Sequence, residues 1–200
     1  LHAIRYNMDM TVLLHDNSIY GLTKKQASPT SPIGTKSNTT PKGSYLEALN
    51  PLTVALGVQN VSFIAQIVDW IPEMLYDILR AAYLHKGFSF VRIIQRCPEF
   101  MPGFYDPYMA DPERIQLLTH PSGLTPSANM AKVYRNQLVH DPRDLAAARE
   151  IADESGALPG ISASITMALL LPLTYSLDPT SAIVLLAATY IGAEYGGSIP

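Results

Sequence analysis

The sequence predicts an α/β fold with parallel strands buried between helices, followed by an apolar helical hairpin. Three observations predict it. Short apolar runs alternate with helical patterns through the larger, first part of the chain. One complete βαβ unit is readable between residues 61 and 95. From Ser155 to the end the only charged residues are Asp178 and Glu194, so the chain changes character there.

The strands of the first part are Met10 to His15, Val61 to Ile67 and Phe88 to Gln95. Between the second and third lies a helix with Asp69 as its cap and Pro72 in its first turn. Leu75, Ile78, Leu79 and Ala82 recur at helical spacing, and Gly87 stops the run. Parallel strands joined by a helix require a right-handed crossover. The stretch from Ser18 to Tyr45 is rich in Ser, Thr, Pro, Gly and Lys, too long for a routine connection, and reads as functional or disordered. Pro98 to Pro126 carries turn residues and aromatics without periodicity and reads as a surface wrap. Pro142 to Glu154 is an amphipathic helix with Leu145, Ala148, Ile151 and Ala152 along one side.

Of the 200 residues, 48% are hydrophobic and 16% charged, with a formal net charge of -3, which fits one globular domain better than a disordered chain and offers no basic patch to a nucleic acid. One cysteine, Cys97, excludes an intramolecular disulfide and points to a cytoplasmic first part. A Leu at position 1 followed closely by a strand predicts a chain that begins inside a larger protein, without a signal peptide. His15 adjoins the end of the first strand with no role assigned. His85, His120 and His140 read as surface or helix-end residues, since no pair has metal-binding spacing.

A diphosphate held through Mg²⁺ needs hard oxygen ligands, and an α/β sheet presents ligands beyond the C-terminal ends of its parallel strands. Asn17 sits just there, with an amide oxygen to offer, and the carbonyl of Ile19 is a second oxygen. Gly21 permits close backbone approach, and Thr23 supplies a hydroxyl for a phosphate. By spacing alone the same residues also read as an ordinary turn.

The longer string from His2 to Ser31, containing Asp16-Asn17-Ser18-Ile19-Tyr20-Gly21-Leu22-Thr23-Lys24, resembles the second half of the thiamine diphosphate motif in β subunits of 2-oxoacid:ferredoxin oxidoreductases. The resemblance continues through Lys36 to Pro41, Asn50-Pro51-Leu52 and Ser89 to Pro98, to about Gly156. It implies a partial doubly wound thiamine-diphosphate-binding domain over residues 1–156. It further implies Mg²⁺ ligation by Asn17 and the Ile19 carbonyl, and Leu22 lying against the thiamine diphosphate. Lys24 would meet the second carboxylate of a substrate such as 2-oxoglutarate; the plainer reading is a solvated loop lysine. Lys25 departs from the Gly seen in many relatives. Cys97 matches the last ligand of an iron-sulfur cluster whose other cysteines are absent; alone it would be a small buried hydrophobe or a free thiol. The family's Gly-Asp-Gly stretch, which carries the remaining Mg²⁺ ligand, would precede Leu1. The implied parent decarboxylates a 2-oxoacid through the thiamine ylid, forms the acyl-CoA from CoA, and passes electrons to ferredoxin, with an alpha subunit as partner. The isolated chain is expected to be inactive.

The tail is a different case. Ile161 to Tyr175 and Ala182 to Ala193 are apolar runs, each shorter than the roughly 20 residues of a spanning helix. They read as a re-entrant hairpin or broken membrane helices, with a buried soluble hairpin as the alternative; the lack of a polar face favours membrane contact. Leu158-Pro159-Gly160, Ala168 to Ala182 and Tyr195 to Ile199 resemble the large membrane subunit of tripartite tricarboxylate transporters. Residues 157–200 are therefore expected to be a permease fragment, joined near Gly156 in a chimeric chain.

Overall fold

In the computed structural model of the chain, residues 1–155 and 165–172 are described. Among the described residues six strands form one sheet: β1 (Met10–Asp16), β2 (Phe63–Val68), β3 (Phe88–Ile94), β4 (Ile115–Thr119), β5 (Gln137–Val139) and β6 (Ile165–Pro172), in spatial order β1-β3-β2-β6-β4-β5. β1 and β2 both pair parallel with β3, Met10 opposite Phe88 on one side and Phe63 opposite Ser89 on the other. β4 pairs parallel with β5 and β6, and β6 is antiparallel to β2 with a register shift at Ile64/Ala65. The helices are α1 (His2–Arg5), α2 (Pro51–Leu56), α3 (Pro72–Leu84), α4 (Asp106–Ala110), α5 (Ala128–Val133) and α6 (Leu145–Ser155).

Every residue of β2 is buried, as a strand covered on both faces and paired on both sides requires. One face carries Phe63, Ala65, Ile67, Val91 and Ile93 against Met74, Ile78 and Ala82 of α3, with Tyr105 and Tyr108 closing the layer. The other carries Ile64 and Phe88 against Leu52, Ala55 and Leu56 of α2 and Ala148 and Ala152 of α6. The expected α/β layering with parallel strands is thus present, and the three expected strands match β1, β2 and β3 to within two residues. The apolar side expected for the last helix faces the core in α6.

Several expectations need correction. Asp69 does not cap α3: the cap position is Ile71, which makes no side-chain cap bond. Lying three residues before the first helical residue, Asp69 instead accepts from Arg96 Nε at 3.0 Å and from the Arg96 N–H at 3.3 Å. The stretch from Pro98 to Pro126 is not wholly irregular, since it contains α4 and β4. β4 escapes a periodicity search because it is five residues long and buries the adjacent Leu117 and Leu118 on opposite faces. The long loop after β1 is internally bonded, with Gly34 N–H donating to Ser44 O at 2.8 Å and Leu49 N–H to Pro29 O at 2.8 Å. Within the first apolar run of the tail, residues 165–172 form β6 rather than helix. An apolar run without a polar side suits a central strand as well as a buried helix, and periodicity does not separate them. The rest of the expected hairpin, including Ala182 to Ala193, lies outside the described residues. Among the described residues no helix is long and apolar enough to cross a membrane.

The turn from α3 into β3 is tightly specified. Gly87 has φ +114, and a Cβ there would stand 2.6 Å from Asn7 Oδ1. That oxygen already accepts from Ser62 Oγ at 2.7 Å and Phe88 N–H at 2.9 Å. His85 is buried beside them, its Nε2 2.9 Å from Ser62 Oγ. Gly87→Ala is expected to cost about 2–3 kcal/mol, from left-handed strain and disruption of the Asn7 bonds, read by urea unfolding. Burial holds the His85 pKa below its ordinary value of 6.5, against an opposing pull from Asp9. The folded state therefore favours neutral imidazole, so the contribution is complete above pH 6.5 and is lost as pH falls below it. Unfolding measured between pH 7 and pH 5 should show a fall in stability that is shallower in His85→Gln.

Candidate functional site

β1 ends at Asp16, and the chain turns sharply away from the sheet at Asn17 and Ser18. Ser18 takes a left-handed φ of +61 and is fully buried, so this turn is held rather than loosely formed. Asn17 Oδ1 accepts the Ile19 N–H at 3.1 Å, which folds the side chain over the turn and leaves the oxygen a second lone pair. Ser31 Oγ donates to Ser18 O at 2.6 Å, and Ser18 Oγ lies 3.0 Å from the Tyr105 hydroxyl. Burial pushes the Tyr105 pKa up to about 12, with the Ser18 hydrogen bond pulling the other way. Tyr105 is therefore a neutral, fixed partner for the turn at any physiological pH.

A buried ion pair lies beneath the turn. Arg92 Nε and Nη2 both donate to Asp16 Oδ2, at 2.9 and 2.6 Å, and Arg92 Nη1 donates to Gln66 Oε1 at 3.0 Å. The other oxygen, Asp16 Oδ1, accepts the Ser18 N–H at 3.1 Å and the Thr30 hydroxyl at 2.5 Å. These residues were not among those the sequence singled out. The signal available was Arg92 itself, a cation in the otherwise uncharged strand run Phe88 to Ile94.

The turn opens on a cleft of about 280 Å³ walled by Leu14, His15, Asn17, Ile19, Thr30 and Leu49, among others. A larger hollow of about 580 Å³ adjoins it, sharing Tyr20, Ser28, Pro29 and Leu49. Asn17 and Ile19 thus come together at the C-terminal end of a parallel strand. Gly21, Leu22, Thr23 and Lys24 are not in the wall of the first cleft. They form a small loop closed by the pairing of Tyr20 with Gln26, with Leu22 and Lys24 exposed. Thr23 Oγ1 donates to Tyr20 O at 3.4 Å. A Cβ on Gly21 would meet only the Phe100 ring at 3.5 Å, an ordinary contact, so the fold does not itself require glycine there.

Cys97 is a free thiol that lines a separate hollow of about 180 Å³ with Arg96, Met101, Phe104 and Tyr105. His15 is exposed, with Nδ1 3.1 Å from Gln95 Oε1. His140 is buried, contrary to a surface reading, and His85 is at a helix end as expected, though buried. Among the described residues no three His, Cys, Asp or Glu side chains are grouped to hold a metal.

The oxygens of the turn fit a hard cation in part. Ile19 is 3% exposed, yet its carbonyl accepts no hydrogen bond among the described residues, and an orphaned buried carbonyl calls for a partner. With Asn17 Oδ1 it offers two neutral oxygens, whereas the Asp16 carboxylate beside them is fully engaged by Arg92, Ser18 and Thr30. Remaining ligands of an octahedral Mg²⁺ would have to come from phosphates, water or another segment.

Lys24 and Lys25 are consecutive left-handed residues, at φ +59 and +69. The left-handed angle at Lys25 gives the physical reason a Gly suits that position. Stability by urea unfolding should rank Lys25→Gly at or above the parent by up to about 1 kcal/mol, and Lys25→Val at least about 1 kcal/mol below it.

Residues 1–93 match the family described as "Thiamine pyrophosphate enzyme, C-terminal TPP binding domain". Residues 154–200 match the "Tripartite tricarboxylate transporter TctA family". The chain is 39% identical over 131 residues to 2-oxoglutarate oxidoreductase subunit KorB of Mycobacterium tuberculosis, covering 64% of this chain and 35% of that protein. It is 37% identical to the 2-oxoacid:ferredoxin oxidoreductase subunit beta of Saccharolobus solfataricus, over 49% of this chain and 32% of the relative. It therefore spans about a third of the length of these curated relatives. Among solved structures, the 2-oxoglutarate:ferredoxin oxidoreductase from Magnetococcus marinus, with 2-oxoglutarate, coenzyme A and succinyl-CoA bound, superposes with a TM-score of 0.64. That match has 28% identity and covers 99% of this chain and 57% of the other.

Proposed function

We propose that this chain, whose first part is similar to the β subunits of 2-oxoacid:ferredoxin oxidoreductases, is a cofactor-binding portion of such an enzyme, inactive alone. The observation that carries the proposal is the turn after β1, where Asn17 and Ile19 line a cleft and the Ile19 carbonyl accepts no hydrogen bond among the described residues. Asn17 and Ile19 would hold Mg²⁺ and, through it, the diphosphate of thiamine diphosphate. Gly21 would let the backbone approach a phosphate and Thr23 would donate to it. Exposed Leu22 would cover the cofactor, and Lys24 would meet the distal carboxylate of a substrate such as 2-oxoglutarate. When bound, thiamine diphosphate supplies the electron sink for 2-oxoacid decarboxylation. Cys97 would complete an iron-sulfur cluster with cysteines from outside this chain, on the route of electrons to ferredoxin. An alpha subunit and CoA belong to the same proposal, supported by the names of the relatives and by the ligands of the structural neighbour. On this reading residues 1–156 would work in the cytoplasm.

A second reading rests on the transporter match at residues 154–200, which favours a membrane transport component carried by the tail. We propose the boundary between 156 and 157 as one of kinship. It does not separate two sheets, because β6 comes from the second segment and lies between β2 and β4.

Thermal-shift titration with thiamine diphosphate and Mg²⁺ tests the main reading, since a ligand bound only by the folded state must raise the Tm. The parent chain should shift upward. Gly21→Ala should leave the ligand-free Tm within about 1 °C, its Cβ meeting only ordinary contact, while cutting the shift. No shift in the parent chain would show that the turn is not a cofactor site. Ultracentrifugation of expressing cells separates the two readings, because a chain that stays in the supernatant sinks the transporter reading.

A further inference from the structure

We propose that Arg92 is a positioning residue for the cation-binding turn: acting through Asp16, it fixes where Asn17 Oδ1 and the Ile19 carbonyl stand. The inference rests on the reading of that turn as the Mg²⁺-diphosphate site. Arg92, Asp16 and Gln66 lie on three neighbouring strands and on the same face of the sheet. In β1, Met10 and Val12 face the α2/α6 layer, and strand alternation puts Asp16 with them. Ile64 in β2 and Phe88 and Phe90 in β3 place Gln66 and Arg92 there as well. Register sets Arg92 opposite Leu14 on one side and Gln66 on the other, so the guanidinium reaches two residues up β1 to Asp16.

The arrangement divides Asp16 between two tasks. Oδ2 is held from the sheet by two Arg92 donors, and Oδ1 holds the Ser18 N–H and the Thr30 hydroxyl above it. Asp16 is thus the joint between a rigid three-strand platform and the turn, and its rotamer is set by Arg92. Side-chain exposures of 2% and 4% shield this joint from bulk solvent. A buried ion pair adds little net stability over an apolar substitute, so its use here is geometric. Lysine in place of Arg92 carries its three donors on one nitrogen at the end of a flexible stem, whereas the planar guanidinium meets Asp16 and Gln66 together from three.

The test compares the parent chain with Arg92→Lys and with the double variant Asp16→Asn/Arg92→Met, which buries no unpaired charge and keeps an acceptor for Ser18 and Thr30. Amide hydrogen exchange by NMR reads the turn without any ligand. The Ser18 and Ile19 amides should exchange at least about tenfold faster in both variants, with β2 and α6 unchanged. In parallel, the Mg²⁺ concentration giving half the thiamine diphosphate thermal shift should rise at least about fivefold in Arg92→Lys. Unchanged Ser18 and Ile19 exchange overturns the inference, and so does a uniform loss of protection, which marks a merely structural pair. A parent chain that shows no thermal shift overturns the cofactor reading instead, while the exchange comparison still decides whether Arg92 sets the turn.

Discussion

The two Arg92 nitrogens that converge on Asp16 Oδ2 join the parallel half of the sheet to the chain leaving it. Removing one partner from such a pair costs about 3–5 kcal/mol, because the other charge is left buried and uncompensated. Every nitrogen and oxygen of the pair also has a partner: Gln66 takes a third guanidinium donor, and Ser18 and Thr30 donate to the second carboxylate oxygen. Saturation matters as much as attraction, since a half-satisfied buried network is worse than an apolar core. Directly above that joint stand the left-handed Ser18 and the folded-over Asn17 amide.

The loop after the turn is held by the same group. Thr30 is bonded to Asp16, the neighbouring Ser31 bonds Ser18 O, and Leu49 N–H reaches Pro29 O. A segment without helix or strand and poor in apolar residues would ordinarily be too costly in conformational entropy to order. Here its small hydroxyls replace a core, bonding backbone groups that a loop leaves open. Its exposed Tyr20, Leu22, Tyr45 and Leu46 are surface that the described residues leave uncovered.

Elements with strong local signals were legible in the sequence. The β2, α3, β3 unit has two mainly apolar runs short enough for strands around a helix with apolar residues four apart, and α6 shows its face through Leu145, Ala148 and Ala152. β4 and β5 were not legible: five and three residues are too few for alternation to register, and their pairing is long-range. Asn17 and Ile19 were legible as a motif, and their neighbourhood in space agrees with strand-end placement. Asp16, Arg92 and Tyr105 were not, because what makes them matter is convergence across 76 and 87 residues of sequence separation. Local patterning carries no record of such contacts, except that a lone cation inside an apolar strand must find an anion or not be buried.

The strand at the centre of the sheet exposes the limit of hydropathy as a guide. Ile165–Pro172 is apolar enough to resemble a transporter segment, yet it runs antiparallel to β2 and parallel to β4. Hydrocarbon and the interior of a two-faced sheet make the same demand on a sequence, namely apolar residues in every direction with the backbone paired. They differ in how the backbone is satisfied: a lone spanning helix bonds itself, whereas a strand needs neighbours already in place. The β2 and β4 edges supply those neighbours here, at the cost of a register shift at Ile64/Ala65. A strand of eight residues is too short to cross a bilayer alone and long enough to fill a gap between two edges. Its structure is therefore decided by what the rest of the chain offers it rather than by its own composition.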